Sequence, residues 1–242
     1  MKKTFALILI FVLIASAIGC GKDNAAQVTE PIAQEAELEY PTHLALCLGN
    51  SPATFICADA TGYDASYLMH LFEGLYRYDA QGACTNAIAQ TEKVDETGLV
   101  WTFTLREDAL WSDGQNVRAQ DFVYAWQRAV DPDTKCAYAE LFLPIKNASS
   151  IIEGKMEPSS LGVEAVSDYE LKVTFTHKVF RVSSLFVHHA FYPLREDLLA
   201  SYDVESSDFN GTKLVTNGAY TITQYTDGGM MLIKRDDYYA KD

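Results

Sequence analysis

The chain has 242 residues, 48% of them hydrophobic and 21% charged, which is enough apolar material for a sizeable core in one large domain or two smaller ones. Its formal net charge of −14 argues against nucleic acid as a partner, because such a surface repels phosphates. A lipid anchor stays compatible with this charge, since it binds by burying apolar chains.

The first residues of the chain have the pattern of a bacterial export signal. Lys2 and Lys3 are followed by an unbroken apolar run at 5–14, which is too short for a membrane-spanning helix. The run ends in Ala17-Ile18-Gly19-Cys20, which resembles a lipobox. We therefore predict a signal peptide at 1–19 and diacylglycerol on the thiol of Cys20; the alternative is an ordinary signal peptide with a chance cysteine.

Residues 21–39 are rich in Ala, Gln, Glu, Asp and Thr and show no apolar periodicity. This composition predicts a flexible, lipid-anchored tether at 20–39 between the membrane and a folded body.

The first half of the folded body contains three predicted elements. A short apolar run at 44–48 indicates a strand, and helical spacing of leucines predicts a helix over 63–76. Alternation at 100–105 predicts a half-buried strand with Trp101, Phe103 and Leu105 on one face.

The second half has a clearer pattern. A helix is predicted at 119–130, ended by Asp131-Pro132, and hairpins at 163–175 and 220–234. Tyr192-Pro193 indicates a loop, and residues 195–202 indicate a short helix. Because strands and helices mix without regular βαβ alternation, the sequence predicts an α+β or complex α/β fold.

The cysteines and histidines give no sign of catalysis or metal binding. Four cysteines of the body allow three disulfide pairings, or they are buried free thiols: Cys47, Cys57, Cys84 and Cys136. His188 and His189 would point to opposite sides if they lay on a strand. No nucleophile elbow, zinc-protease motif or phosphate loop is present in the sequence. We therefore predict no enzyme, no catalytic residue, no metal and no cofactor.

Six segments together resemble the bacterial extracellular solute-binding proteins of family 5, which include the oligopeptide-binding proteins of ABC importers. They occur in the family's order and spacing: LFEGL at 71–75, WTFTLR at 101–106, WSDG at 111–114, AQDFVYAWQR at 119–128, LGV at 161–163 and TNGAY at 216–220. In WSDG, Asp113 and Gly114 suit a turn that Trp111 anchors. These motifs are expected to be scaffold rather than ligand contacts.

The resemblance implies how the chain is divided into domains. It implies a periplasmic-binding-protein-like (type II) two-lobed clamp, of which this sequence holds the amino-terminal lobe and an inserted small domain, with the second lobe missing. Residues 40–73 and 198–242 would form the first lobe, and 74–197 the inserted α+β domain. A chain of this extent is expected to bind peptide weakly or not at all by itself.

The resemblance also implies a ligand and partners. An extended oligopeptide would add as a strand along Ala60, Thr61 and Gly62, and Tyr138 would face the ligand. A plain loop at 60–62 and domain packing by Tyr138 are the alternatives. The implied partners are the permease subunits of an ABC importer, with the protein lipid-anchored to the outer face of the cytoplasmic membrane or in the periplasm.

Two departures from the family pattern affect these expectations. SPATFIC at 51–57 replaces a sequence like Leu-Asp-Pro upstream of the predicted strand edge. Arg118 replaces the usual hydroxyl N-cap of the helix at 119–130, so that Asp121 in the first turn would have to compensate. Peptide sensing and a non-transporting surface role, as an adhesin or chaperone, are the alternative functions; dipeptides or nickel are alternative ligands.

Overall fold

The computed structural model describes residues 42–47, 54–60, 64–202, 209–226 and 229–240. They belong to a unit that extends from Tyr40 to Asp242. The predicted signal peptide, the tether and Cys20 lie outside the described residues. Within the part that is described, no helix is long and apolar enough to cross a membrane.

Nine strands and four α-helices alternate irregularly through the described ranges, which confirms the predicted mixture of helix and sheet. In chain order they are β1 (His43–Cys47), α1 (Asp64–Leu71), β2 (Tyr76–Tyr78), β3 (Cys84–Asn86), β4 (Ala89–Val94), β5 (Val100–Leu105), α2 (Ala119–Val130), α3 (Ala148–Ile152), β6 (Val163–Ser167), β7 (Glu170–Thr174), α4 (Val182–Phe186), β8 (Tyr220–Thr226) and β9 (Gly229–Lys234). Short 3-10 helices connect several of them, including the predicted short helix, found at Glu196–Tyr202.

A three-stranded antiparallel sheet joins the two ends of the described chain, in the order β1-β9-β8. Leu44 of β1 pairs with Leu232 of β9, whose side chain is fully buried. The hairpin of β8 and β9 was predicted from the sequence, but its pairing with a strand almost 190 residues earlier was not.

A four-stranded antiparallel sheet with the order β4-β5-β7-β6 lies wholly between residues 89 and 174. Phe103 of β5 and Leu171 of β7 pair and are both fully buried, as the predicted alternation requires. A separate two-stranded ribbon pairs β2 with β3. Helix α2 packs across β6 with its buried face toward this sheet.

The predicted helix at 63–76 is wrong at its carboxyl end, because α1 stops at Leu71. The Leu71 carbonyl accepts a hydrogen bond from Gly218 N–H at 2.8 Å, and the Asn217 side chain makes two bonds to the backbone of Glu73. A Cβ on Gly218 would lie 2.6 Å from the backbone carbon of Leu71, so only glycine fits. Two of the family-like motifs are therefore scaffold that contact each other.

The turn at 111–114 forms as predicted and also caps α2. Gly114 has φ +84°, and the Asp113 carboxylate accepts from the backbone N–H of Gln115 at 3.1 Å. Asp121 supplies the other bond of a capping box, since its Oδ2 accepts from both the Arg118 backbone N–H and Trp111 Nε1–H at 3.0 Å, while its own N–H donates to the Arg118 carbonyl.

The thiols of Cys57, Cys84 and Cys136 are all free in the structure. Among the cysteines whose side chains are described there is thus no disulfide, which leaves the free-thiol alternative for these three. Burial raises the pKa of both Cys57 and Cys136 above the ordinary thiol value, so both stay protonated at neutral pH.

Candidate functional site

The segment at 54–60 is a tight turn rather than an extended edge where it is described. Asp59 N–H donates to the Ile56 carbonyl at 2.9 Å, and the Tyr67 hydroxyl donates to the Thr54 carbonyl at 2.8 Å. Ala60 is fully buried, backbone included, so the structure does not present it as an open strand edge. Thr61 and Gly62, the rest of the predicted edge, lie outside the described residues.

Three side chains hold this turn against the rest of the body. His189 Nδ1 lies 2.7 Å from the Cys57 carbonyl oxygen, and the Cys136 thiol donates to the Ala58 carbonyl at 3.0 Å. Arg128 and Asp59 form a largely buried ion pair at 3.0 Å. The turn is therefore fixed by groups that lie about 70 to 130 residues farther along the chain.

Tyr138 lies beside the same contacts. Its backbone N–H donates to the sulfur of Cys136 at 3.4 Å, and its half-buried ring makes edge contacts with His188 and His189 at centroid distances of 4.9 and 5.1 Å. The structure thus brings Tyr138 and the turn that precedes Ala60 together through two connecting residues, Cys136 and His189.

His188 and His189 do not lie on a strand, so the condition under which their side chains would point to opposite sides is not met. A 3-10 helix begins at His189, and the two rings lie side by side with centroids 4.2 Å apart and planes tilted by 30°. Pro193, four residues later, was the sequence signal against a central strand. The histidine pair is the part of the site that sequence reasoning missed.

The imidazoles are neutral at neutral pH. Burial, reinforced by the adjacent His189 ring, lowers the pKa of His188 to about 4, and burial also lowers the pKa of His189 below its ordinary value. The aromatic patch formed by Tyr138, His188 and His189 therefore carries no imidazole charge, and the opposite charges of the nearby Asp59 and Arg128 side chains cancel each other.

This shift predicts a pH-dependent stability. Between the folded pKa of His188, about 4, and its ordinary value of 6.5, the unfolded chain binds a proton that the folded chain does not. The free energy of unfolding should therefore rise with pH across this window, and this contribution should be missing in His188→Phe. Urea unfolding at pH 4.5 and 7 measures the difference. The exposed His177 offers the control, since His177→Phe should keep the wild-type pH dependence; an unchanged pH dependence in His188→Phe would contradict the assignment.

The described residues provide no metal centre. No group of three or more histidine, cysteine, aspartate or glutamate side chains within them is arranged to hold a metal ion.

Comparison with known proteins assigns the chain to a family. The model for "Bacterial extracellular solute-binding proteins, family 5 Middle" matches residues 84–242. The chain belongs to family 5 of the bacterial extracellular solute-binding proteins. This membership confirms the resemblance inferred from the six motifs. The family consists of solute-binding proteins rather than enzymes, and its members act outside the cytoplasm.

Two relatives and two solved structures show the extent of the similarity. The periplasmic oligopeptide-binding protein OppA of Haemophilus influenzae is 31% identical over 95% of this chain and 42% of its own length, and OppA of Bacillus subtilis is 30% identical over 100% and 44%. Listeria monocytogenes OppA bound to peptide superposes with a TM-score of 0.74 at 34% identity, covering 81% of this chain and 39% of that one. The Escherichia coli murein tripeptide binding protein MppA gives 0.73 at 33%, covering 79% and 38%. The predicted periplasmic-binding-protein-like fold class is thereby confirmed, and the chain spans less than half the length of these relatives.

Proposed function

We propose that this family 5 chain is the amino-terminal part of an extracytoplasmic receptor that captures oligopeptides for an ABC importer. The observation that carries the proposal is the meeting of the 57–60 turn, which leads into the predicted strand edge, with the half-buried ring of Tyr138 through Cys136 and His189. The relatives named above, an oligopeptide-binding protein and a structure bound to peptide, support the same ligand class.

Peptide capture at this surface would depend on the groups common to all peptides. An extended ligand would hydrogen-bond through its backbone near Ala60, Thr61 and Gly62, while Tyr138 would pack its ring against the chain. Such binding tolerates many sequences, because backbone amides do not differ between residues.

The two sheets support a division into a discontinuous lobe and an insert. The sheet β1-β9-β8 draws its strands from 40–73 and 198–242, and the sheet β4-β5-β7-β6 lies entirely within 74–197. We infer that the first pair of segments forms a lobe of a clamp, and that the segment 74–197 is a small domain inserted into it.

The experiment that tests the proposal asks whether the native protein carries peptides. The protein purified intact from cells should release a mixture of short peptides on acid denaturation, detected by mass spectrometry. It should also bind tetra-alanine or members of a random tetrapeptide pool in calorimetric titration. A protein that releases no peptide and binds neither probe is not a peptide receptor.

Tyr138→Ala should weaken tetra-alanine binding by about tenfold, because a packed aromatic contact is worth about 1–2 kcal/mol in an interface. Tyr138→Phe should retain most of the affinity, since the ring rather than the hydroxyl makes the contact. Tyr78, which is half exposed and outside this patch, offers the control: Tyr78→Ala should bind as the wild type does. Equal affinities for Tyr138→Ala and wild type would assign Tyr138 to domain packing instead.

We further propose that Cys20 anchors the protein to the outer face of the membrane, with the permease subunits of the importer as partners. The lipobox-like sequence before Cys20 supports the anchor. The protein should partition with membranes and carry a diacylglycerol mass on Cys20, and Cys20→Ser should release it into the soluble fraction. A wild-type protein that is already soluble and unmodified would rule out the anchor while leaving peptide capture intact.

A further inference from the structure

The hydrogen bond to the turn determines the tautomer of His189. The Cys57 carbonyl can only accept, so His189 Nδ1, 2.7 Å away, must carry the proton. In a neutral ring the second nitrogen then has no hydrogen. His189 Nε2 is therefore a hydrogen-bond acceptor.

His188 is held in the opposite tautomer. The backbone N–H of Ala190 donates to His188 Nδ1 at 3.2 Å, so this nitrogen must be the unprotonated one. The proton of the neutral ring then lies on Nε2. His188 Nε2 is therefore a hydrogen-bond donor, and the two adjacent rings present one donor and one acceptor.

Both Nε2 atoms are unused. Within the described ranges neither has a hydrogen-bond partner, and neither belongs to the fully buried polar atoms without one, so each reaches the surface even though His189 as a residue is buried. The Tyr138 ring lies against both imidazoles, and the Cys57–Ala60 backbone is bonded to one of them. An unused donor and an unused acceptor thus lie side by side at the proposed peptide site.

We propose that His188 and His189 bind the backbone of a single residue of the captured peptide. His188 Nε2–H donates to the carbonyl of that residue, and His189 Nε2 accepts from its N–H. In an extended chain these two groups of one residue point to the same side, so two neighbouring rings with centroids 4.2 Å apart and planes tilted by 30° can engage both. This inference rests on the proposed function and adds two ligand contacts to it.

The surroundings favour an uncharged amide over a charged peptide terminus. The ionised side chains at this turn, Asp59 and Arg128, are paired with each other at 3.0 Å. The thiols of Cys57 and Cys136 are protonated. A neutral donor and acceptor in neutral surroundings match the polarity of a peptide bond and supply no countercharge for a terminal amino or carboxyl group.

The test combines side-chain variants with backbone-modified peptides, using the intact native protein and tetra-alanine as the probe. His189→Asn keeps a donor near the Nδ1 position for the Cys57 carbonyl but removes the acceptor at Nε2, and it should weaken binding about tenfold. Among ester analogues of tetra-alanine, each lacking one N–H, one should bind the wild type about tenfold more weakly. The His189→Asn protein should bind that same ester as well as it binds tetra-alanine. If His189 had only a structural role, the ester would bind the variant more weakly than tetra-alanine does.

The part of the test that concerns His188 (the His188 arm) is independent of the part that concerns His189. His188→Phe keeps the ring but removes the donor, and should also weaken binding about tenfold. A thioamide analogue, whose sulfur is a weaker acceptor, should lose affinity for the wild type at one position but not for His188→Phe. Since His188 is only partly buried, this arm remains informative if His189→Asn does not fold, as judged by near-ultraviolet circular dichroism. His177→Phe is the control and should bind as the wild type does.

The outcomes separate the two proposals. If the wild type binds tetra-alanine while the histidine variants bind equally well, or while the ester and thioamide penalties persist in them, the histidine contacts are overturned and peptide capture stands. If the wild type binds neither tetra-alanine nor a random tetrapeptide pool, the proposed function fails and the histidine contacts fail with it.

Discussion

Glu73→Ala is expected to lower the free energy of unfolding by about 2–4 kcal/mol, because two tyrosine hydroxyls lose the carboxylate that accepts their hydrogen bonds and each unsatisfied buried group costs about 1–3 kcal/mol. The Glu73 carboxylate is buried and accepts from the Tyr238 hydroxyl at 2.7 Å and the Tyr239 hydroxyl at 2.6 Å. Arg77 forms an ion pair with it at 3.3 Å. Truncation would leave three donors without their shared acceptor.

The effect extends beyond one side chain, because this cluster ties the chain following α1 to the residues following β9. The Arg106 guanidinium lies 4.0 Å from the centre of the Tyr239 ring, which adds a second cation to the cluster. Burial nevertheless raises the pKa of Glu73 above its ordinary value, against the opposing influence of the phenols and Arg77. Part of the stabilisation by the donors is therefore offset by desolvation of the carboxylate.

A graded series tests this account by urea unfolding monitored with circular dichroism. Glu73→Gln should cost about 1–2 kcal/mol, because the amide keeps one acceptor oxygen, and Tyr239→Phe about 1 kcal/mol for a single hydrogen bond. The exposed Glu107 offers the matched control, since Glu107→Ala should change stability by less than about 0.5 kcal/mol. Losses of similar size for Glu73→Ala and Glu107→Ala would show that the cluster does not stabilise the fold.

Trp126→Ala is expected to cost about 3–5 kcal/mol, as for other large aromatic side chains removed from a core. Trp126 is fully buried on α2 and contacts the rings of Phe186 and Phe191 at centroid distances of 4.8 and 5.4 Å. Its Nε1–H donates to the Phe191 carbonyl at 3.0 Å, three residues after His188. The same side chain thus fills the core and holds the segment that carries the histidine pair.

Trp126→Phe separates these two roles. Its loss in the free energy of unfolding should exceed the loss due to the smaller ring by about 1–3 kcal/mol, because the buried Phe191 carbonyl loses its hydrogen-bond donor. Trp101 is the matched control: its Nε1 is buried without a hydrogen-bond partner, so Trp101→Phe breaks no bond and should be markedly milder. Both free energies of unfolding come from the same urea titrations. If the two substitutions cost the same, the bond from Trp126 to Phe191 contributes nothing.

Local sequence patterns were sufficient to predict the elements whose residues lie near one another in sequence. Helix α2 and strand β5 have the predicted bounds, because a helical stripe of apolar residues or a strict alternation determines which face is buried wherever the core lies. The hairpin of β6 and β7 formed for the same reason, since its partners are separated by one short turn. The motifs that led to the family are of this local kind as well.

Contacts between distant parts of the chain decided the features that local sequence patterns did not predict. Helix α1 ends at Leu71 because its carbonyl and the backbone of Glu73 bond to Asn217 and Gly218, partners that no window around residue 71 contains. The His189 ring is held by a hydrogen bond to the Cys57 carbonyl, which lies 132 residues before it in the chain. Sequence alone determined helix α2, strand β5, the two hairpins and the family, and the resemblance to that family offered Tyr138 as a candidate. Only the tertiary structure placed an imidazole donor and acceptor beside that tyrosine, because a ring's tautomer depends on the partner that the fold brings to it.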